Sequence, residues 1–214
     1  PALVTVHTRA QLRRIPATWE VDYTVLAEGE IQVETRFKPE RTDLPKLPRF
    51  GTQFELVAGF RDLEWLGPGP QETYSDRKDA VIGRYRGRIA DQFFADYTEP
   101  GESGNKVDVR WAALRHQRGG SLLVIGKPTV SFKALPHTTD DLQQAKHAWE
   151  LPVRDTVTVN IDDRQQGVGG DDSWGAWPHT EYLIPCRESG YSFRLRLLGN
   201  GEDPGRAART LPAP

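Results

Sequence analysis

The glycine-rich segment 167–175 is the most unusual stretch of this sequence. It reads Gly-Val-Gly-Gly-Asp-Asp-Ser-Trp-Gly, and its glycines permit a tight backbone that residues with a Cβ atom adopt only at a cost. Asp171, Asp172 and Ser173 are residue types that bond nearby backbone N–H groups and so stiffen a loop. Trp174 would then be a fixed aromatic platform for the C–H groups of a sugar. The alternative is a core tryptophan behind a structural turn, and the residues alone favour that plainer interpretation.

Two further loops contain charged groups that could act in catalysis or binding. In segment 65–78, two prolines alternate with two glycines, which predicts a rigid corner from which Arg77 could bind carboxylates or carbonyls. Glu99 and Glu102 could be imagined as a catalytic pair. Retaining glycosidases, however, need two carboxylates about 5–5.5 Å apart across a sugar, and sequence spacing does not establish that distance. A structural corner and solvated surface acids are the favoured interpretations.

Several catalytic and metal-binding patterns are absent from the sequence. The five histidines never occur four residues apart, as a zinc protease helix requires, and there is no G-x-S-x-G nucleophile turn. The aspartates near the glycine-rich segment lack the ligand order of a calcium loop. We therefore expect no metal or cofactor site in this chain.

Composition narrows the classes of partner. The chain has 28 Lys and Arg against 30 Asp and Glu, with no long run of one sign, which argues against a nucleic-acid surface. Cys186 is the single cysteine, so an intrachain disulfide is excluded and a cytoplasmic location is expected. No apolar run has membrane-spanning length, and no signal peptide is expected. The expected partners therefore include neither nucleic acid nor a membrane.

Hydrophobic residues alternate with a period of two along much of the chain, which predicts an all-β protein. The turn at 27–30 separates two alternating segments and predicts an antiparallel hairpin. In the last segment, Arg194 and Arg196 are expected to point to water. Alternation of this kind is typical of sheets with one buried face, as in a β-sandwich. The segments are 19–25, 31–37, 107–111, 157–161 and 191–197.

One short helix is predicted after the middle of the chain. Thr138 or Thr139 can cap it, the acids that follow suit its positive N-terminal dipole, and three apolar residues (Leu142, Ala145 and Ala148) share a face. We expect it to end near Leu151. Residues 199–214 have almost no apolar anchor and are predicted to be a disordered tail, which leaves residues 1–198 as the folded domain.

Taken in order, four blocks of this sequence resemble the C-terminal or small-chain domain of the large β-galactosidases of glycoside hydrolase family 2. Phe132, Thr138 and His147 fall in the expected order between the third and fourth blocks, and the resemblance runs from about Leu47 to Leu197. Gly101 and Thr73 depart from the glutamine and asparagine usual in the family. The blocks are 47–51 (Leu-Pro-Arg-Phe-Gly), 65–77, 97–111 and 161–175.

The resemblance implies an antiparallel β supersandwich of the galactose mutarotase type. It also implies that Trp174 is a platform for the aglycone, such as the glucose of lactose, and that the preceding loop positions it through Gly169, Gly170, Asp171, Asp172 and Ser173. The catalytic glutamates and the Mg²⁺ and Na⁺ sites are implied to lie in a separate (β/α)₈ barrel. The family domain begins upstream of the region matching Pro1, so the chain is expected to be N-terminally truncated.

Three hypotheses of function follow. The first is a domain or subunit without its own catalytic residues, which completes the aglycone side of a β-galactosidase pocket; its partners would be the barrel and the galactoside, within a homo-oligomeric enzyme. The second is a stand-alone carbohydrate-binding module with Trp174 and Trp177 as stacking surface. The third is a mutarotase-like enzyme, in which His116 or His179 would have to meet an acid in a sugar-sized cleft.

Overall fold

The computed structural model describes residues 3–210, which form ten strands and two short α-helices. Every strand pairing among these residues is antiparallel, so the predicted all-β antiparallel class is confirmed. Neither helix is long and apolar enough to cross a bilayer. The strands are β1 Val4–Leu12, β2 Ala17–Val25, β3 Glu30–Pro39, β4 Arg49–Leu56, β5 Phe60–Gly69, β6 Val81–Arg88, β7 Lys106–His116, β8 Ser121–Leu135, β9 Val157–Gln165 and β10 Ser189–Leu198; the helices are α1 Thr139–Gln144 and α2 Pro204–Arg209.

The long strand β8 belongs to two layers. Residues 121–126 pair with β10, within a large sheet of order β1-β2-β3-β10-β8-β7-β5-β6. Residues 131–135 pair instead with β9, which pairs with β4, and the start of β7 pairs with the same part of β8; these segments form a smaller second layer that is continuous with the large sheet. The strand bends between the two parts, where a Cβ atom on Gly126 would lie 2.6 Å from the Cα atom of Thr129.

The main core lies between the two layers. The large sheet contributes Val33 and Phe193, while the small layer contributes Phe132, Val159 and Ile161, all of them almost fully buried. The predicted β2–β3 hairpin is confirmed. Val159 and Ile161 face the core as predicted, but the residues on either side of them are buried too, so the single buried face that alternation predicted for β9 is wrong. Burying side chains of this size contributes roughly 1.5–3 kcal/mol each, so this core is the main source of stability.

Tyr191 joins the two layers at one end of the core. Its hydroxyl, on β10, donates to the carbonyl of Ile161 on β9 at 2.7 Å and is hydrogen-bonded to the hydroxyl of Thr52 on β4 at 2.8 Å. The ring meets Phe50 edge to face, with 5.7 Å between centroids. These contacts fix the position of β9, and so of the glycine-rich loop that follows it.

Strand β7 departs from the simple alternation. The pairing with β8 shifts register on both sides of Val109, and Asp108 has a positive φ of 55°. As a result, Val109 packs into the main core, whereas Trp111 packs against α2 on the opposite face. The prediction that these two side chains share a face is wrong, because the irregularity turns the strand over between them.

Arg194 is buried, not directed to water as the alternation of β10 suggested. Only 6% of the residue is exposed, and Nη1 lies 3.0 Å from a carboxylate oxygen of Glu30. The guanidinium also donates to the carbonyls of Ala208 at 3.2 Å and Thr210 at 3.3 Å. The end of the chain thus covers Arg194 and supplies acceptors for its remaining N–H groups.

The prediction of a disordered tail from residue 199 is also wrong for residues 199–210. Asp203 caps α2 by accepting from the N–H of Arg206 at 2.7 Å, and Ala207 is buried in a small cluster with Trp111 and Leu198. Residues 211–214 lie outside the described residues. A helix of six residues has too few apolar positions to show a clear period, which is why α2 was not predicted.

Helix α1 begins as predicted but ends earlier. Thr138 is its cap, with a reciprocal capping box formed with Asp141. The helix ends at Gln144 and is followed by a separate 3₁₀ turn, Ala148–Glu150. The predicted common face of Leu142, Ala145 and Ala148 is therefore not formed by one continuous helix.

The buried ion pair between Glu30 and Arg194 yields a test by denaturation. We expect Arg194→Met to lower the free energy of unfolding by about 3–5 kcal/mol, because the Glu30 carboxylate would be left buried without its partner. The matched control is Arg196→Met on the same strand, where the nearest carboxylate is 3.7 Å away and the side chain is 27% exposed. Urea unfolding of the control variant should show that its free energy of unfolding falls by less than about 1 kcal/mol. Equal losses in the two variants would contradict this account.

Candidate functional site

The glycine-rich loop, residues 167–176, directly follows β9 and is held at both ends. Near its start, the N–H of Gly169 donates to Oδ2 of Asp76 at 2.7 Å. Near its end, Oδ1 of Asp172 accepts from the N–H groups of Trp174 at 2.8 Å and Ala176 at 3.1 Å. Of the three residues expected to bond nearby backbone N–H groups, Asp172 alone does so among the described residues, and the tether from Asp76 comes from a distant segment.

Two glycines in this loop are required by its shape. A Cβ atom on Gly170 would lie 2.0 Å from the carbonyl oxygen of Ala176, so the two sides of the loop approach each other too closely for a side chain. Gly175 has a φ of +109°, a conformation that residues with a side chain rarely adopt. The tight backbone between them fixes the direction of Trp174.

Trp174 projects from the loop into the surroundings. The residue is 93% exposed, so the interpretation as a core tryptophan is wrong. Ser173 is exposed as well, and Trp177 nearby is 66% exposed. Exposure alone does not assign a ligand to Trp174, and its role as a sugar platform stays a prediction.

A second contact holds the far side of the loop. Oδ1 of Asp171 lies 2.8 Å from Nε2 of His179, and this hydrogen bond raises the pKa of the histidine. Both side chains are more than half exposed, so the pair is a surface tether rather than an enclosed acid–base pair. His116, the other histidine considered for such a pair, instead has Nε2 3.3 Å from the carbonyl of Ala58.

The loop borders the smaller of two clefts that share lining residues. The smaller, of about 350 Å³, lies between the loop and Tyr182. The larger, of about 950 Å³, extends over the corner 70–79 and the segment 91–97. Asp76, Arg77 and Tyr182 line both clefts, so the residue that tethers the loop is also part of the larger cleft wall. The sequence contained no signal for this arrangement, because Asp76 and Gly169 are 93 residues apart.

Glu72 organises the floor of the larger cleft. Its carboxylate accepts from the N–H of Gly104 at 2.7 Å, from the guanidinium of Arg77 and from the hydroxyl of Tyr97. Arg77 therefore does bond a carboxylate, and the segment 65–78 forms a braced corner. Lys106 also lines this cleft, with Nζ 4.8 Å from the ring centre of Trp65, and burial lowers its pKa to about 8.

The two glutamates considered as a catalytic pair lie in different surroundings. Glu99 is exposed, whereas Glu102 lies 2.7 Å from Nζ of the buried Lys133 and 3.8 Å from Arg49. Arg49 also pairs with the fully buried Asp162 at 2.8 Å, and burial raises the pKa of Asp162 to about 7. Glu102 thus belongs to an ion-pair network on the second layer.

Comparison with known proteins gives this geometry a family context. The sequence profile described as "Beta galactosidase small chain" matches residues 2–197. The chain belongs to the β-galactosidase small-chain family. A β-galactosidase of Priestia megaterium is 40% identical over 174 residues, which cover 81% of this chain and 17% of that protein. A β-galactosidase of Vibrio cholerae is 33% identical over 192 residues, covering 89% of this chain and 18% of the relative.

This small-chain member thus spans only about 17% of the length of the curated relatives it matches. Among solved structures, a galactose mutarotase related enzyme from Lactobacillus acidophilus covers 94% of this chain and 69% of its own, with 11% identity and a TM-score of 0.38. The glycine-rich loop and the corner 65–78 both fall inside the family match.

The tether from Asp76 can be tested by hydrogen exchange. We expect Asp76→Ala to speed backbone amide exchange in residues 168–176, because the N–H of Gly169 loses its acceptor. The control is Asp79→Ala, which removes another acid from the lining of the same cleft. Unchanged exchange in Asp76→Ala, or the same increase in both variants, would contradict the tether.

The Asp171–His179 contact predicts a pH dependence. Since Asp171 raises the pKa of His179 above its ordinary value of 6.5, the tether is complete below that value and is lost as the pH rises through the raised pKa. An NMR titration of the His179 ring should show this pKa return toward 6.5 in Asp171→Asn. The raised pKa should persist in Asp172→Asn, which removes the adjacent acid; a return in both variants would refute the assignment.

Proposed function

We propose that this chain completes the aglycone side of the active site of a β-galactosidase whose catalytic residues are supplied by another part of the enzyme. The observation that carries the proposal is the exposed indole of Trp174, held out from the fold on a loop braced by two aspartates. Family membership supports association with a catalytic β-galactosidase chain. Because this chain matches only 17% of the length of a β-galactosidase relative, the reactive groups can lie in another part of the enzyme.

The braced loop suits a platform that contacts one side of a sugar. A stacking surface is most effective when its orientation is fixed before binding, because little conformational entropy is then lost. The loop is held by Asp76 and Asp172, so the backbone under Trp174 is already ordered. Hydroxyl groups of the sugar can remain in contact with water or with the neighbouring polar cleft while its C–H groups pack on the indole.

The catalytic part of the enzyme would cover the exposed end of this loop. Val168, Trp174 and Trp177 are all exposed there, and a cluster of large apolar side chains is typical of an interaction surface. The acid/base and nucleophile glutamates, together with the Mg²⁺ and Na⁺ sites, would belong to a (β/α)₈ barrel in that partner. We expect the isolated chain to be inactive in hydrolysis of terminal β-galactosides.

A stand-alone carbohydrate-binding module is the second candidate, and the exposure of both Trp174 and Trp177 favours it. This candidate requires that the isolated chain bind galactose or lactose at millimolar concentrations or better. Titration with either sugar should then change tryptophan fluorescence. Under the leading proposal the isolated chain gives no such change, because half of the pocket is absent.

Trp174→Ala in the complex with the catalytic chain tests the platform. We expect glucose to bind about fivefold more weakly as acceptor, since one stacking contact is worth on the order of 1 kcal/mol, and lactose transglycosylation to fall accordingly. The matched control is Trp149→Ala, because Trp149 is 79% exposed but precedes β9, whereas Trp174 follows it. Wild-type transfer to glucose by Trp174→Ala, or an equal loss in both variants, would rule out the assigned role.

A further inference from the structure

The last helix borders a separate cleft, on the outer face of the large sheet. Helix α2 packs through Ala207 against Trp111 and Leu198, on the opposite side of this sheet from the main core. Beside this contact lies a cleft of about 600 Å³. Its lining comes from five strands and the helix: Leu66, Arg84, Arg110, Trp111, Ile125, Gly126, Pro128, Thr129, Arg194, Gly205, Ala208 and Arg209.

Four arginines line this cleft, and none of its lining residues is acidic. Two of the arginines are engaged: Arg84 pairs with Asp203 at 2.6 Å and with Glu64, and Arg194 pairs with Glu30 at 3.0 Å. The other two, Arg110 and Arg209, are not paired with an acid in this way within the described residues. Among residues 3–210, no carboxylate oxygen lies within 4.0 Å of a guanidinium nitrogen of Arg110 or Arg209. Neither guanidinium is therefore in direct contact with an acid of the described chain, although Arg209 lies close enough to Asp203 to help lower the pKa of that carboxyl.

The floor of the cleft is fixed and combines apolar side chains with two held arginines. Trp111 is 4% exposed, and the guanidinium of Arg84 lies 5.4 Å from its ring centre. Arg194 is held by Glu30 and by the carbonyls of residues 208 and 210, so its position does not depend on a ligand. Exposed cations above a rigid floor of mixed polarity suit a compact anion with an organic body better than an extended polyanion.

We propose that this cleft binds a small organic phosphate of about the size of a sugar phosphate. A guanidinium presents paired N–H donors that match phosphate oxygens, and such charge-assisted bonds are among the strongest hydrogen bonds in proteins. Arg110 on β7 and Arg209 on α2 bind the phosphoryl group, and the organic body packs toward Trp111 and Leu66. A volume of 600 Å³ lies within the range of small-molecule sites.

The cleft is separate from the Trp174 loop. The loop follows β9 of the second layer, whereas this cleft opens on the outer face of the large sheet. Helix α2, which supplies Arg209, also lies outside the residues 2–197 that match the family profile. The proposal therefore does not depend on the proposed galactosidase role, and either can fail alone.

Isothermal titration of the full 214-residue chain with glucose 6-phosphate, inorganic phosphate and glucose tests the proposal. We expect glucose 6-phosphate to bind at a single site, inorganic phosphate to bind more weakly because it lacks the organic body, and glucose not to bind there. Raising the salt concentration should weaken the phosphate ester, since exposed charges are screened.

Substitution of Arg110 and Arg209 tests whether the ligand binds in this cleft. Arg110→Gln and Arg209→Gln should each weaken glucose 6-phosphate about tenfold, as expected for loss of one charge-assisted contact. Both residues are exposed and have no carboxylate partner within 4.0 Å in the described chain. The midpoint temperature of thermal unfolding should therefore be the same in both variants as in the wild type. Arg61→Gln, an exposed arginine on β5 that does not line the cleft, is the matched control and should bind as wild type.

Three results would overturn the proposal. The first is no binding of glucose 6-phosphate by the wild-type chain. The second is equal affinity for inorganic phosphate and glucose 6-phosphate, which would refute an organic ligand. The third is binding that neither Arg110→Gln nor Arg209→Gln weakens beyond Arg61→Gln.

Discussion

Strand β8 is hydrogen-bonded in both layers, and the rest of the structure depends on this double pairing. Residues 121–126 hold the large sheet together between β7 and β10, while residues 131–135 carry β9 and, through it, β4. The main core exists because the bend at Gly126 brings the second half of the strand over the first sheet. The loop with Trp174 extends from the end of β9, so its position is set by the same bend.

The two faces of the large sheet have different chemistry. The inner face meets the second layer and is apolar, as the cluster around Val33, Phe132 and Ile161 illustrates. The outer face holds buried acids that are each matched by arginines: Glu64 by Arg84, Arg86 and Arg115, and Glu30 by Arg194. Burying a charge is costly unless it is paired, so these matches are a condition for the outer face to be covered by α2.

The sequence predicted those features that depend on neighbouring residues. The β2–β3 hairpin, the core-facing Val159 and Ile161 of β9, the cap of α1 and the brace of the loop by Asp172 all follow from local spacing and turn chemistry. The reversal within β7 escaped prediction because alternation cannot reveal an irregularity in pairing. The burial of Arg194 depends on Glu30, which lies 164 residues away, and on carbonyls near the end of the chain.

The candidate site was predictable only in part, for the same reason. Trp174 and its loop residues stand together in the sequence and also in space, whereas Asp76 reaches the loop only through the fold. This double placement of Asp76 has a thermodynamic consequence. Oδ2 accepts from the N–H of Gly169, whereas Oδ1 is buried without a hydrogen-bond partner among the described residues. A donor that reaches Oδ1 from the larger cleft would fix the same carboxylate that holds the loop, so such an occupant and the closed loop favour each other by an equal free energy.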